Sequence, residues 1–366
     1  MRLSIISFTE NGKRLSERIA ELLKKGDSKS LTKIEPFLFT KCEACKKNSA
    51  GSPAMFVEKS VGDWAKEQMQ EKNALLFIGA CGIAVRAIAP SLTDKLHDVP
   101  VLVMDERGRY VIPLLSGHVG GANELADYLA GKTGAEPVIT TATDINNKFA
   151  VDLFAKRNNL FIENKDGIVK VSSKVLAGEV ITISIEPGHG ADGTGKSCLP
   201  PDIRLAAYPP EESVDVLITS KEDKFNTALV LRPREYVIGL GCKKGKSIEE
   251  INAFVTKKMK ELGITAAQVY AVASISLKSE EQGIVSWCDK EGIPFLTYTA
   301  EELQEVKGSF TGSSFVREKT GVDNVCERAA LKACGDKGKL LTPKYAENGM
   351  TIAVAKREWK VCFDEK

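Results

Sequence analysis

A largely parallel α/β fold is what this chain of 366 residues predicts, and three observations carry it. Short β-rich apolar runs alternate with amphipathic helical stretches, the pattern of strands joined by crossover helices. The alternation fades in the middle and restarts from Tyr236, so two α/β domains flank a smaller region. Several apolar runs end in glycine loops that lead directly into a helical pattern, the junction where open α/β sheets hold ligands.

In order, LSIISF, LLFIGA, VLVMD, YVIPLL and PVITT read as strands, and RLSERIAELLKK, GIAVRAIAP, NELADYLAG and NKFAVDLFAKR as helices. In ANELADYLA the residues Ala122, Leu125, Ala126, Leu129 and Ala130 recur at i, i+3, i+4, i+7 and i+8, the inward stripe of a helix. Asp105-Glu106-Arg107-Gly108-Arg109 predicts a hairpin between two strands. After Leu160 the helical signal weakens: IVKVSSKVLAGEVITISIE reads as strands, a glycine- and proline-rich stretch follows, and VDVLITS is another strand. From Tyr236 the order is strand YVIGLG, helix SIEEINAFVTKKMKELG, strand VYAVASI, helix SEEQGIVSWCDKEG, strand PFLTY and helix AEELQEV. A helix DNVCERAALKACG and strands KLLT and MTIAVAK complete it. Ser247 with Glu250 and Thr299 with Glu302 predict capping boxes. The expected division is an N-terminal three-layer α/β domain over 1–145, a small middle domain over 146–233 and a C-terminal three-layer α/β domain over 234–366.

Composition narrows the function. An apolar share of 43% and a charged share of 27% describe a soluble globular protein, and a formal charge of +2 gives no global attraction to nucleic acid. Nine scattered cysteines and no secretory signal fit a reducing cytoplasm. No apolar run is long enough for a membrane span. The oligomeric state leaves no trace in the sequence.

The stretch most suggestive of chemistry lies over 111–144. An apolar run ends in Ser116-Gly117-His118, and Gly120-Gly121 opens the next helix with Asn123 and Glu124 in its first turn. Backbone N–H groups at such a junction favour anions, and an imidazole beside them exchanges protons near neutral pH. His118 is one of only three histidines; His97 and His189 sit in loop contexts without partners at ligand spacing. Thr140, Thr141, Thr143 and Asp144 end a strand and begin a helix, where either of the last two could be an N-cap.

Other motifs are weaker. Residues 190–197, GADGTGKS, satisfy the Walker A expression, but Pro200-Pro201 interrupts the helix a phosphate loop requires. Gly239-Leu240-Gly241 with Lys243, Lys244 and Lys246 precedes a helix and suits carboxylates or phosphates, or is a tight turn with solvated lysines. Gly79 to Arg86 repeats that geometry: Arg86 could clamp a carboxylate, and Cys81 is a nucleophile or, more commonly, a space-filler. Cys42 and Cys45 form a solitary CxxC with no second pair, so no metal site is expected.

Taken together, FIGACGIAVRAIAP, PLLSGHVGGANELA, PVITTATD, YVIGLGCKKG, ASISLKSEEQG and FVREKTGVDNVCERAA resemble the cobalamin-biosynthesis family CbiG, the cobalt-precorrin-5A hydrolases. The resemblance covers nearly the whole chain, although FTGSSFV, with Ser313 and Ser314, departs from the proline-containing segment usual there. It implies an N-terminal α/β domain, a small middle domain and a C-terminal CobE-like domain. It also implies a corrinoid substrate, cobalt-precorrin-5A, whose δ-lactone is opened by water with loss of acetaldehyde to give cobalt-precorrin-5B. Cobalt arrives within the substrate, and no separate metal, nucleotide or other cofactor is expected.

Lactone opening needs a positioned water, a base and donors for the developing oxyanion. His118 is the expected general base or acid, with Glu124 or Asp144 orienting it or the water. The N–H groups of the glycine loop are the expected oxyanion donors. Arg86, Lys243, Lys244 and Lys278 are expected clamps for the substrate's carboxylates. Cys81, Gly82, Ser116, Gly117, Gly120, Gly121, Asn123, Thr140, Thr141 and Gly241 are expected around the substrate. A non-catalytic carrier of an anionic corrinoid would need the clamps without His118, and a nucleotide-dependent enzyme would need one glycine loop to bind phosphate.

Overall fold

Side-chain alternation along the strands gives each sheet two buried faces, and the helices follow from that. The computed structural model describes residues 1–25, 34–46, 52–93, 98–146, 148–190, 199–221, 224–225 and 227–363. The chain divides into two units, Met1–Leu153 and Phe154–Lys366.

The first unit runs β1 (Arg2–Ser7), α1 (Glu10–Lys24), β2 (Glu35–Thr40), α2 (Glu43–Lys46), β3 (Met55–Phe56), α3 (Val61–Gln70), β4 (Ala74–Ile78) and α4 (Cys81–Ile88). It continues through β5 (Val101–Met104), β6 (Tyr110–Leu115), α5 (Ala122–Thr133), β7 (Glu136–Pro137) and α6 (Ala142–Ile145), and the chain leaves it within α7 (Val151–Arg157). Among the described residues the strands form one seven-stranded sheet in the order β3-β2-β1-β4-β5-β6-β7. Leu3, Ile5, Leu76 and Ile78 face α1 and α5. Their neighbours Ile6, Leu75 and Phe77 face α3 and α4, where Trp64 packs edge-on against Phe39 and Phe77. This is the expected three-layer arrangement, and its strand runs are apolar on both faces for that reason.

One strand direction matters for the site. Pairing is parallel throughout this sheet except between β5 and β6. The predicted hairpin makes that reversal, with Asp105 accepting the N–H groups of Arg109 and Tyr110 and Gly108 at φ +67. Leu115 therefore lies beside Val101, while Ile78 lies beside Met104. The carboxyl ends of β6 and β7 face the opposite edge from those of β1, β4 and β5.

The second unit begins with β8 (Leu160–Ile162), α8 (Asp166–Leu176), β9 (Ile181–Ile185), β10 (Ile203–Ala206), β11 (Val216–Ile218) and β12 (Leu229–Pro233). These strands order as β10-β9-β11-β12-β8, with β8 antiparallel. Here the sequence reading needs correction: the first half of IVKVSSKVLAGEVITISIE is helix, not strand. Its β-branched residues suggest a strand, but Ile168, Val171 and Val175 at i, i+3 and i+7 are buried on one helical face. Tertiary packing overrides local propensity.

The remainder runs β13 (Tyr236–Cys242), α9 (Ile248–Glu261), β14 (Val269–Ile275), α10 (Gln282–Glu291), β15 (Phe295–Tyr298), α11 (Ala300–Gln304), α12 (Ser314–Thr320), α13 (Cys326–Cys334), β16 (Lys339–Glu347) and β17 (Met350–Lys356). The sheet order is β15-β14-β13-β17-β16. α9 and α10 cover one face and α11 and α13 the other, again three layers. Both predicted capping boxes form, at the starts of α9 and α11. α13 sits so close to β13 that a Cβ on Gly239 would lie 1.8 Å from the Cys326 carbonyl oxygen. The segment after β17 folds back with Trp359, Val361 and Phe363 buried: Trp359 stacks on His189 at 3.7 Å, and Phe363 on Phe154.

Candidate active site

His118 follows β6 on a loop that ties itself shut. Gly121 N–H donates to His118 O, Ala122 N–H to Ser116 O and Asn123 N–H to Gly117 O, at 2.9, 3.0 and 3.1 Å. These three amides are spent on the loop, including the Gly121 N–H, one of the expected oxyanion donors. The glycines have steric reasons of their own. Gly121 holds φ +85, a Cβ on Gly120 would lie 2.2 Å from that of Ser116, and one on Gly117 would lie 2.8 Å from Asn123 Oδ1. Ser116 itself adopts φ +58, uncommon for a residue with a side chain, and its Oγ donates to Asp98 O at 2.7 Å.

α6 follows β7 at the same edge of the sheet and brings the partners. His118 Nε2 lies 2.9 Å from Asp144 Oδ1 and 2.9 Å from Thr143 Oγ1. On the other side, His118 Nδ1 lies 3.7 Å from Asp152 Oδ1, from the first turn of α7. Asn123 Nδ2 donates to Thr141 Oγ1 at 3.1 Å and makes a short contact with Asp144 Oδ2. The Asn123 amide oxygen is buried without a hydrogen-bond partner. Asp144 is 30% exposed, His118 14% and Asp152 10%, so Asp144 is the partner open to solvent. Hydrogen bonding to Asp152 raises the His118 pKa above 6.5 most strongly; burial opposes this, and the Asp152 and Asp144 charges add to the rise.

The structure gathers His118, Ser116, Gly117, Gly120, Gly121, Asn123, Thr141 and Asp144 into one place. Glu124 points from the exposed side of the first turn of α5, and the carboxylates at the imidazole are Asp144 and Asp152. Thr140 is exposed beside this group. Cys81 and Gly82 stand at the carboxyl end of β4, the opposite edge, and Arg86 folds back there to donate to Gly82 O at 3.0 Å. They form no single site with His118.

In the second unit, Lys243 and Lys244 are exposed after β13. Lys278 is instead committed to Glu281 at 2.7 Å, and Glu281 also accepts the Gly245 N–H. The Gly241 position would place a Cβ 2.7 Å from Thr351 Oγ1, a packing reason for that glycine. Ser313 caps α12. His189 gains the partner the sequence did not reveal, its Nδ1 2.9 Å from Trp359 O. The Walker-like segment, apart from Gly190, and His97 lie outside the described residues.

Asp152 escaped the sequence reading. Its signal is present, because Phe149, Val151, Phe154 and Ala155 are all buried and Asp152 is buried among them. A carboxylate on the inward stripe of a helix needs a partner.

A histidine held by carboxylates at the carboxyl ends of a parallel strand pair is an arrangement able to move protons in an α/β protein. Family models described as Cobalamin synthesis G N-terminal and Cobalamin synthesis G C-terminus match residues 63–144 and 236–355. The chain belongs to this cobalamin synthesis G family. It is similar to the cobalt-precorrin-5A hydrolase of Salmonella typhimurium LT2, 34% identical over 79% of this chain and 84% of that one. It is also similar to the cobalt-precorrin-5A hydrolase of Priestia megaterium, 30% identical over 96% of this chain and 94% of the relative. A solved cobalamin biosynthesis protein G homologue from Sulfolobus solfataricus is 25% identical, covers 97% of each chain and gives a TM-score of 0.37. Among the described residues no helix is long and apolar enough to cross a membrane.

Proposed function

We propose that the chain hydrolyses cobalt-precorrin-5A, opening its δ-lactone with water and releasing acetaldehyde to give cobalt-precorrin-5B. The observation that carries this reading is the similarity, over most of the chain, to two relatives bearing that activity in their names. The N-terminal family match, 63–144, includes His118, Thr143 and Asp144. Water adds to the lactone carbonyl, and collapse of the tetrahedral adduct frees a carboxyl group and a hydroxyl. For two carbons to depart as acetaldehyde, that hydroxyl loses its proton while its carbon–carbon bond to the macrocycle breaks. The bonding pair passes to the macrocycle. Both stages need a group that moves protons at neutral pH, and His118 is that group. Lys243 and Lys244 are available for the substrate's carboxylates. Cobalt is part of the substrate, and the reaction as proposed draws on no further cofactor.

The test is incubation with cobalt-precorrin-5A, following acetaldehyde and the mass of the corrinoid. Release by the wild type, reduced ~10²–10⁴-fold in His118→Gln with the fold retained, is the expected result. Binding without release would make the protein a carrier instead.

A further inference from the structure

We propose that His118 works as an imidazolium, held in that state by Asp152 as a positioning residue, and that Asp144 is the base. This rests on the hydrolase reading and assigns roles within its site. The geometry supplies the reason. A neutral imidazole carries one N–H and one bare lone pair. Here Nε2 faces Asp144 Oδ1 at 2.9 Å and Nδ1 faces Asp152 Oδ1 at 3.7 Å. A neutral ring protonated at Nδ1 can accept the Thr143 hydroxyl at Nε2, 2.9 Å away, but that lone pair still lies 2.9 Å from Asp144 Oδ1; the imidazolium alone presents an N–H toward both carboxylates.

The surroundings reinforce this. Asp144 comes from α6, Asp152 from α7 and Asp127 from α5, and Asp127 has its pKa raised by burial and then by the Asp144 charge. Glu124 belongs to the first turn of α5. Lys148 lies in the connection between α6 and α7, its N–H bonded to Thr143 O. The titratable neighbours are thus mostly acids. Of the two carboxylates at the ring, Asp144 is the more exposed and is held by Asn123, whereas Asp152 is enclosed. A substrate water reaches Asp144.

The roles balance through the reaction. Asp144 takes a proton from water as its oxygen bonds to the lactone carbon. The His118 imidazolium gives its proton to the ring oxygen as the carbon–oxygen bond breaks, forming the hydroxyl. The neutral imidazole then takes that proton back as the carbon–carbon bond breaks and acetaldehyde leaves, which restores the imidazolium. Asp144 returns its proton to solvent.

The experiment is ring-nitrogen NMR of His118 in the whole protein without substrate, beside pH–rate profiles. The expected result is a His118 midpoint above 6.5, lowered by about one pH unit or more in Asp152→Asn. In that variant kcat falls, KM stays near the wild-type value and the alkaline limb of the rate profile moves to lower pH. Asp152→Glu restores part of the midpoint. A wild-type His118 that titrates at or below 6.5, or a midpoint unmoved in Asp152→Asn, overturns the proposal whether or not acetaldehyde forms. Absence of acetaldehyde from a wild type with the raised midpoint overturns the hydrolase reading instead.

Discussion

His118 links chemistry to stability, because a group whose pKa rises on folding binds protons more tightly in the native state. Its pKa lies above 6.5 in the folded chain. The stability this contributes is fully present below pH 6.5 and is lost as pH climbs through the higher folded value. Urea unfolding should therefore show the wild type losing stability relative to Asp152→Asn as pH rises above 6.5, on the order of 1 kcal/mol per unit of pKa difference. A difference independent of pH would leave Asp152 without influence on the ring. Most of this site was legible because Ser116, Gly117, His118 and Asn123 stand in one contiguous run. Asp144 was legible as the end of a strand-to-helix junction. Asp152 was not placed there, because its apolar neighbours mark a carboxylate that needs a partner but only the path of the chain through α6 and α7 brings it to the imidazole.

At the scale of elements, α8 shows where periodicity and propensity disagree and packing decides. Asp215 fastens this helix: it accepts Lys174 Nζ at 3.0 Å, and the Thr182 N–H and hydroxyl at 2.7 and 3.0 Å. Burial alone would raise the Asp215 pKa, but the hydrogen bonds from Thr182 and Lys174 hold it below 3.8. Its contribution is therefore present above pH 3.8 and is lost as pH falls through the lower folded value. Asp215→Ala should cost about 1–3 kcal/mol at neutral pH by leaving partly buried donors unpaired, measured by urea unfolding. Gly239→Ala should cost about as much or more, because its Cβ meets backbone rather than a movable side chain. β1, β4, β5, β13, β14 and β17 were readable from sequence because their apolar runs are buried along most of their length, whereas β2 and β3 were not read as strands. β7 was not readable as drawn: PVITT contributes little beyond Glu136–Pro137 to the ladder, and its threonines serve the junction instead.

At the scale of the molecule, distant segments of the second unit close on one another. Asn158 bonds both the N–H and the carbonyl oxygen of Cys362, 204 residues away, and Val361 N–H donates to His189 O. Trp359 is 4% exposed in this fold-back. Trp359→Ala should cost about 3–5 kcal/mol, read as a lower urea midpoint with acetaldehyde release intact at low denaturant. No sequence pattern announces such closure, because it joins residues at opposite ends of the unit.

The reversed pair β6 and β7 has a bearing on how substitutions in the first unit will be tolerated. The groups proposed to move protons hang on β6, α5, β7, α6 and the start of α7, while β1, β4 and their loops end at the other edge. In a saturation-mutagenesis survey, losses around Gly79 to Gly82 should therefore track protein abundance or ligand affinity. Losses of turnover in well-folded protein should cluster between Ser116 and Asp152, so that one sheet yields two separable maps of constraint.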